Sequence, residues 1–171
     1  MAVIGSTPIG DTILKTIVNM INKDFIVKED SHIMDIMYQI NNETDFNTFW
    51  DSYLKLQLKN NTDKTEIDVF NQCTRNIFYL LGYYTNDFKQ AFLCNLLIQK
   101  VLLKAGCNSH EDLVGKTVEY NTTDKSYSWM NGLYNIKEVK NNGLRLLCTD
   151  KNNPEREVNF SLFGKGVYII V

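Results

Sequence analysis

Histidine is scarce in this chain, with 2 residues in 171, and neither copy stands where it could do chemistry. His32 and His110 form no nucleophile motif with a serine or cysteine, so each reads as a solvated or locally bonded side chain. The four cysteines, Cys73, Cys94, Cys107 and Cys148, have no C-x-x-C spacing. That favours reduced thiols over a disulfide framework or a zinc site. Cys107 and His110 make one C-x-x-H, but a structural zinc site needs a second half that is missing. Gly115-Lys116-Thr117 lacks the upstream glycine of a phosphate loop. The close carboxylates have bland roles: Glu66 and Asp68 suit the first turn of a helix, and Glu155 and Glu157 share the outer face of a strand. No enzymatic activity, cofactor, metal or small-molecule substrate is expected.

Long apolar runs and a dominant charge sign are lacking as well. The longest apolar stretch, Leu96 to Ile98 and Val101 to Leu103, is cut by Gln99 and Lys100, which argues against a membrane span. Met1 to Asp11 has no basic segment and no long apolar core, so no secretory signal is expected and the sequons at Asn42, Asn60, Asn121 and Asn159 carry little weight. Residues 107–171 hold eight Lys/Arg and eight Asp/Glu. Phosphate contacts need a basic excess, so nucleic acid is not expected as a specific ligand. A local patch from Lys137, Lys140, Arg145 and Lys165 reads as ordinary mixed-charge surface. Twenty asparagines stand against three alanines, a usage that AT-rich codons produce.

What is present is a change of period. Over residues 11–106 the apolar spacing is helical and predicts five helices. Asp11 caps the first, with Leu14, Ile17, Val18 and Ile21 in one stripe. Ser31 caps a short second helix carrying Ile33, Ile36, Met37 and Ile40, ended by Asn41-Asn42. A third begins near Thr44 and presents Phe46, Phe49, Trp50, Tyr53 and Leu54. The fourth, after Asn60 to Asp63, carries Ile67, Phe70, Cys73, Ile77, Leu80 and Leu81 and stops at Gly82. The fifth starts at Thr85 or Asn86 and runs through Phe88, Ala91, Phe92, Leu96, Ile98 and Leu102 to Gly106. It is apolar around most of its circumference, as a central or partner-facing helix would be.

Residues 107–116 read as a connector with one helical turn at Ser109 to Leu113, and residues 117–171 as five strands. These are Thr117–Asn121, Leu133–Val139, Leu144–Thr149, Glu155–Phe160 and Val167–Val171. Asn141-Asn142-Gly143 predicts a tight type I′ hairpin with Asn142 and Gly143 at positive φ. A long loop over 122–132 and a 3₁₀ turn at Ser161 to Gly164 complete the series. This order of parts resembles an SH3-like barrel. The expected class is therefore α+β, an N-terminal five-helix bundle followed by a C-terminal five-stranded SH3-like β-barrel. The first strand lacks the A-L-Y-D-Y-type motif of signalling SH3 domains, so proline-rich peptide binding is not carried over. Tyr120, Tyr127, Trp129 and Tyr134 near the long loop read as core completion ahead of a binding groove.

The two ends stand apart. Residues 1–10 form an uncharged extended arm with Val3, Ile4 and Ile9 apolar, expected to dock on its own bundle or across a subunit boundary. Val167-Tyr168-Ile169-Ile170-Val171 is an apolar β-type run that is aggregation-prone unless paired or covered. Val3, Ile4, Ile9, Trp129, Tyr168 and Ile170 are the candidate partner-binding residues. A helical bundle, a neutral barrel, an adhesive arm and no chemistry are similar in style to bacteriophage neck proteins, the head-to-tail adaptors. That resemblance implies a homo-oligomeric ring touching portal or tail proteins, found in the virion or in host cytoplasm during assembly. Two alternatives stand beside it: a small phage- or plasmid-borne inhibitor protein, and a nucleic-acid-binding regulator.

Overall fold

A computed structural model describes residues 24–84 and 86–170 of the chain. It divides into two compact units, one up to Val69 and one from Phe70. The described residues contain four α-helices followed by a five-stranded antiparallel sheet. The first of the five helices expected from sequence, with Leu14, Ile17, Val18 and Ile21, lies outside the described residues.

In the first unit, α1 spans Ile33–Gln39 and α2 spans Glu43–Asn60. Ser31 does not cap α1: its Oγ accepts the Lys28 N–H in the preceding turn, and His32 takes the N-cap position without a side-chain bond. Asn42 opens α2 rather than only closing α1, because its Oδ1 accepts the Asp45 N–H at 2.9 Å and satisfies one of the free first-turn donors. Phe46, Phe49, Trp50 and Tyr53 are buried as their spacing predicts. Rings four residues apart lie over one another, Phe46 on Trp50 at 6.5 Å and Phe49 on Tyr53 at 5.9 Å. Ser52 then accepts the Val27 N–H at 2.8 Å, which fixes the extended segment carrying buried Phe25 and Val27.

Helix α3 spans Glu66–Tyr84, so the boundary between the units falls inside it. It does not stop at Gly82, which keeps ordinary helical backbone while the helix runs on through Tyr83 and Tyr84. Helix α4, Asp87–Lys104, starts where Asn86 Oδ1 accepts the Lys89 N–H at 2.8 Å. It ends in two capping bonds, Cys107 N–H to Leu102 C=O at 2.8 Å and Gly106 N–H to Leu103 C=O at 3.1 Å. A 3₁₀ turn, His110–Leu113, follows, held by Asp112 Oδ2 accepting the N–H groups of Asn108 and Ser109.

The strands are β1 (Thr117–Tyr120), β2 (Gly132–Lys140), β3 (Arg145–Asp150), β4 (Asn153–Ser161) and β5 (Val167–Ile170). They pair in the order β4-β3-β2-β1-β5, with a bulge in β2 between Ile136 and Glu138. The expected closed barrel is thus corrected to an open sheet. Among the described residues β5 pairs with β1 alone, and the chain that leaves β4 turns at the Gly164 N–H to Ser161 C=O bond instead of running back along β4. Val118, Tyr134, Ile136, Leu146, Cys148 and Phe160 are buried in this unit. Phe160 receives the edge of Tyr134 at 4.9 Å and the stacked ring of Tyr120 at 5.3 Å. Just beyond β4, Phe163 stacks on Phe78 of α3 at 4.6 Å, so sheet and helix share one core.

The β2–β3 connection is longer than a type I′ hairpin. Lys140 pairs with Arg145, and Asn141, Asn142 and Gly143 all take positive φ, at 53°, 55° and 104°. Asparagine tolerates the left-handed region and glycine enters it freely, which is why this tripeptide forms the turn. Gly143 is also buried, and a Cβ there would lie 3.2 Å from Ile98 Cγ2 and 3.4 Å from His110 Cβ. Two penalties therefore meet at one position. Gly143→Val is expected to lower stability by about 1–3 kcal/mol, read as a reduced denaturant midpoint with an unchanged slope. A variant that unfolds at the wild-type midpoint would contradict the turn geometry.

Candidate interaction surface

The loop between β1 and β2 is polar in sequence and closed by its own hydrogen bonds in structure. Thr122 N–H donates to Asn131 Oδ1 at 2.9 Å, and Asn131 Nδ2 returns a bond to Thr122 C=O at 3.0 Å, closing the loop at its base. Inside it, Asp124 Oδ1 accepts the Ser126 N–H at 2.9 Å, the self-bonding turn that aspartate favours. Ser126 C=O in turn accepts the indole N–H of Trp129 at 3.0 Å.

With its only donor used, Trp129 presents carbon to solvent and is 68% exposed. The Arg156 guanidinium of β4 lies 5.1 Å from its ring centroid, and Arg156 also reaches Asp150 Oδ2 at 3.5 Å. The cation therefore sits over the indole while the Asp150 carboxylate holds the cation. The expectation that the four aromatics of this region complete the core is half right. Tyr134 is buried and its hydroxyl donates to Met130 C=O, and Tyr120 is half-buried on Phe160. Burial pushes the Tyr134 phenol above its ordinary range. Tyr127 and Trp129 stand exposed.

The other candidate residues lie along β5. Alternation in an antiparallel ladder fixes which backbone groups point inward. Asn121 N–H donates to Gly166 C=O, so Gly166, Tyr168 and Ile170 direct their groups to β1. Val167 and Ile169 point theirs the other way. The Val167 N–H is taken by Gly164 C=O at 3.1 Å, whereas the Ile169 N–H and C=O have no partner among the described residues. The side chains divide similarly. Ile169 stands opposite buried Val118, while Tyr168 and Ile170 stand opposite Glu119 and Thr117, and Ile170 is 44% exposed. Val3, Ile4 and Ile9 lie outside the described residues.

Sequence reasoning missed one feature. Phe88 in the first turn of α4 is 86% exposed, although it was placed with the apolar run of that helix. The signal was available: Phe88 stands five residues before buried Leu93, which is about 140° around the helix at 3.6 residues per turn.

Among the described residues, no three His, Cys, Asp or Glu side chains gather as a metal site. His110 Nε2 lies 2.9 Å from Oε1 of its neighbour Glu111. Lys137 is tied to Glu157 at 2.8 Å, and that bond raises the lysine and lowers the carboxylate, so the basic patch loses one of its charges locally. No described helix is long and apolar enough to cross a membrane. No protein-family model, curated protein or solved structure matches the chain.

Three of the thiols, Cys73, Cys94 and Cys148, are held protonated. Burial pushes Cys73 and Cys148 from 9.0 up to about 12 and raises Cys94 in the same direction, the opposite of an activated nucleophile. As pH rises above 9, an unfolded chain loses these protons first, so stability falls between pH 9 and about 12. Below pH 9 this contribution is fully present. A thiol-specific reagent at pH 8 is expected to label these three positions only as fast as the protein unfolds. Rapid labelling of folded protein at Cys73 or Cys148 would contradict the burial.

Proposed function

We propose that this chain is a non-enzymatic structural subunit of a larger assembly, a phage head-to-tail connector that forms a homo-oligomeric ring and contacts portal- or tail-type proteins. The observation that carries this reading is Trp129: a large apolar ring, fully bonded within its own loop and braced by Arg156, yet 68% exposed. Loop aromatics without a partner surface ordinarily turn inward, and an anchor that is already rigid loses little entropy on docking. Phe88 adds a second exposed ring on the same unit. The strand order, the long first loop and the short turn before β5 support reading the sheet as a partly opened SH3-like barrel.

The nucleic-acid alternative is weakened by the pairing of Lys137 with Glu157 and Arg156 with Asp150.

Native mass spectrometry of the purified chain, and of the chain in extract from phage-infected cells, tests the proposal. A closed ring, or a smaller species that enters a particle on meeting its partner, is the expected result. Trp129→Ser is expected to keep the melting temperature within a few degrees and to reduce incorporation into the particle at least tenfold. A stable monomer that joins no larger species in either setting would overturn it.

A further inference from the structure

The two ends of the open sheet differ in chemistry. Along β4 the edge carries Pro154, which has no N–H to offer, and the charged residues Glu155 and Glu157, devices that discourage a further strand. Along β5 the sequence is Val167-Tyr168-Ile169-Ile170, with no charge and no proline. The outward Ile169 N–H and C=O have no partner among the described residues. One edge is guarded and the other is a template.

We infer that the β5 edge is an interaction surface whose occupant is β5 of a second copy of this chain, paired antiparallel about a two-fold axis at Ile169. Any occupant must offer an extended strand with its own outward donor and acceptor and must bring no charge against the apolar run. A second β5 meets both conditions. In this register each Ile169 N–H donates to the partner copy's Ile169 C=O. On the outer face Tyr168 comes opposite Ile170 of the other copy, an aromatic and β-branched pair of the kind that stabilises cross-strand contacts. The exposed side of Ile170 is covered, and no like charges are brought together. Such a contact is isologous and closes on itself, so it joins two copies, or two rings, and does not propagate around a ring. It therefore goes beyond the connector proposal and stands or falls separately.

Sedimentation equilibrium over a wide concentration range tests it. The wild-type chain is expected to form even-numbered species in reversible equilibrium with smaller ones. Ile169→Pro removes an N–H that β1 does not use, so it is expected to weaken the association at least tenfold while far-UV circular dichroism stays unchanged. A pair of charge variants keeps the test decisive if that proline unfolds the strand. Tyr168→Lys alone is expected to weaken association, and Tyr168→Lys with Ile170→Glu to restore it, because ammonium and carboxylate then meet across the two-fold. A wild type that is monomeric at every concentration overturns the inference. So does association that a folded Ile169→Pro leaves intact, or charge variants that change nothing. An odd-numbered ring insensitive to Ile169→Pro overturns the strand pairing while leaving the connector reading in place.

Discussion

An antiparallel sheet that does not close must leave outward N–H and C=O groups on its two end strands, and the second unit is organised around how those groups are treated. At β4 the sequence itself discourages pairing, with Pro154 at the start and acidic residues along the run. At β5 nothing does. The core residues face inward from both ends, so this difference is not about folding the unit. It leaves one end of the folded unit open to a further strand and the other closed to one.

Two close approaches of backbone decide where the sheet lies. Gly143, left-handed and buried, lets the β2–β3 turn reach Ile98 of α4 and His110 of the connector. Gly166, at φ 85°, brings the chain so near β1 that a Cβ would stand 2.8 Å from the Asn121 carbonyl oxygen. The same approach sets the register of β5, because the Asn121 to Gly166 bond is its first rung. With that rung fixed, alternation alone turns Ile169 outward. Phe163 on Phe78 and the Phe160 aromatic cluster fill the space between, so helices and strands of this unit are one packed body.

Much of this was legible in the residues because local patterns and tertiary packing agree. The i, i+3, i+4 spacing of Phe46, Phe49, Trp50 and Tyr53 predicted a buried helix face, and the Asn-Asn-Gly run predicted left-handed backbone. Failures came where a residue type has two uses. Gly82 reads as a helix stop but continues α3, since only a left-handed residue would end it there. Ser31 can cap a helix or close a turn, and the turn at Lys28 won. Trp129 carried two readings, core by type and a candidate contact residue, and the bond that satisfies its donor within its own loop is one that spacing does not reveal. Closure of the sheet was beyond reach of the sequence altogether. Order of strands does not say whether the first and last meet, because that depends on a turn of a few residues at Ser161 to Gly164.

Residue-resolved amide hydrogen exchange at low protein concentration tests the open β5 edge most directly. The N–H groups of Tyr168 and Ile170 face β1 and are expected to be protected, while that of Ile169, between them, exchanges at nearly the unfolded rate. Equal protection of all three amides in dilute solution would mean that the edge is already covered within one chain, and would contradict the account.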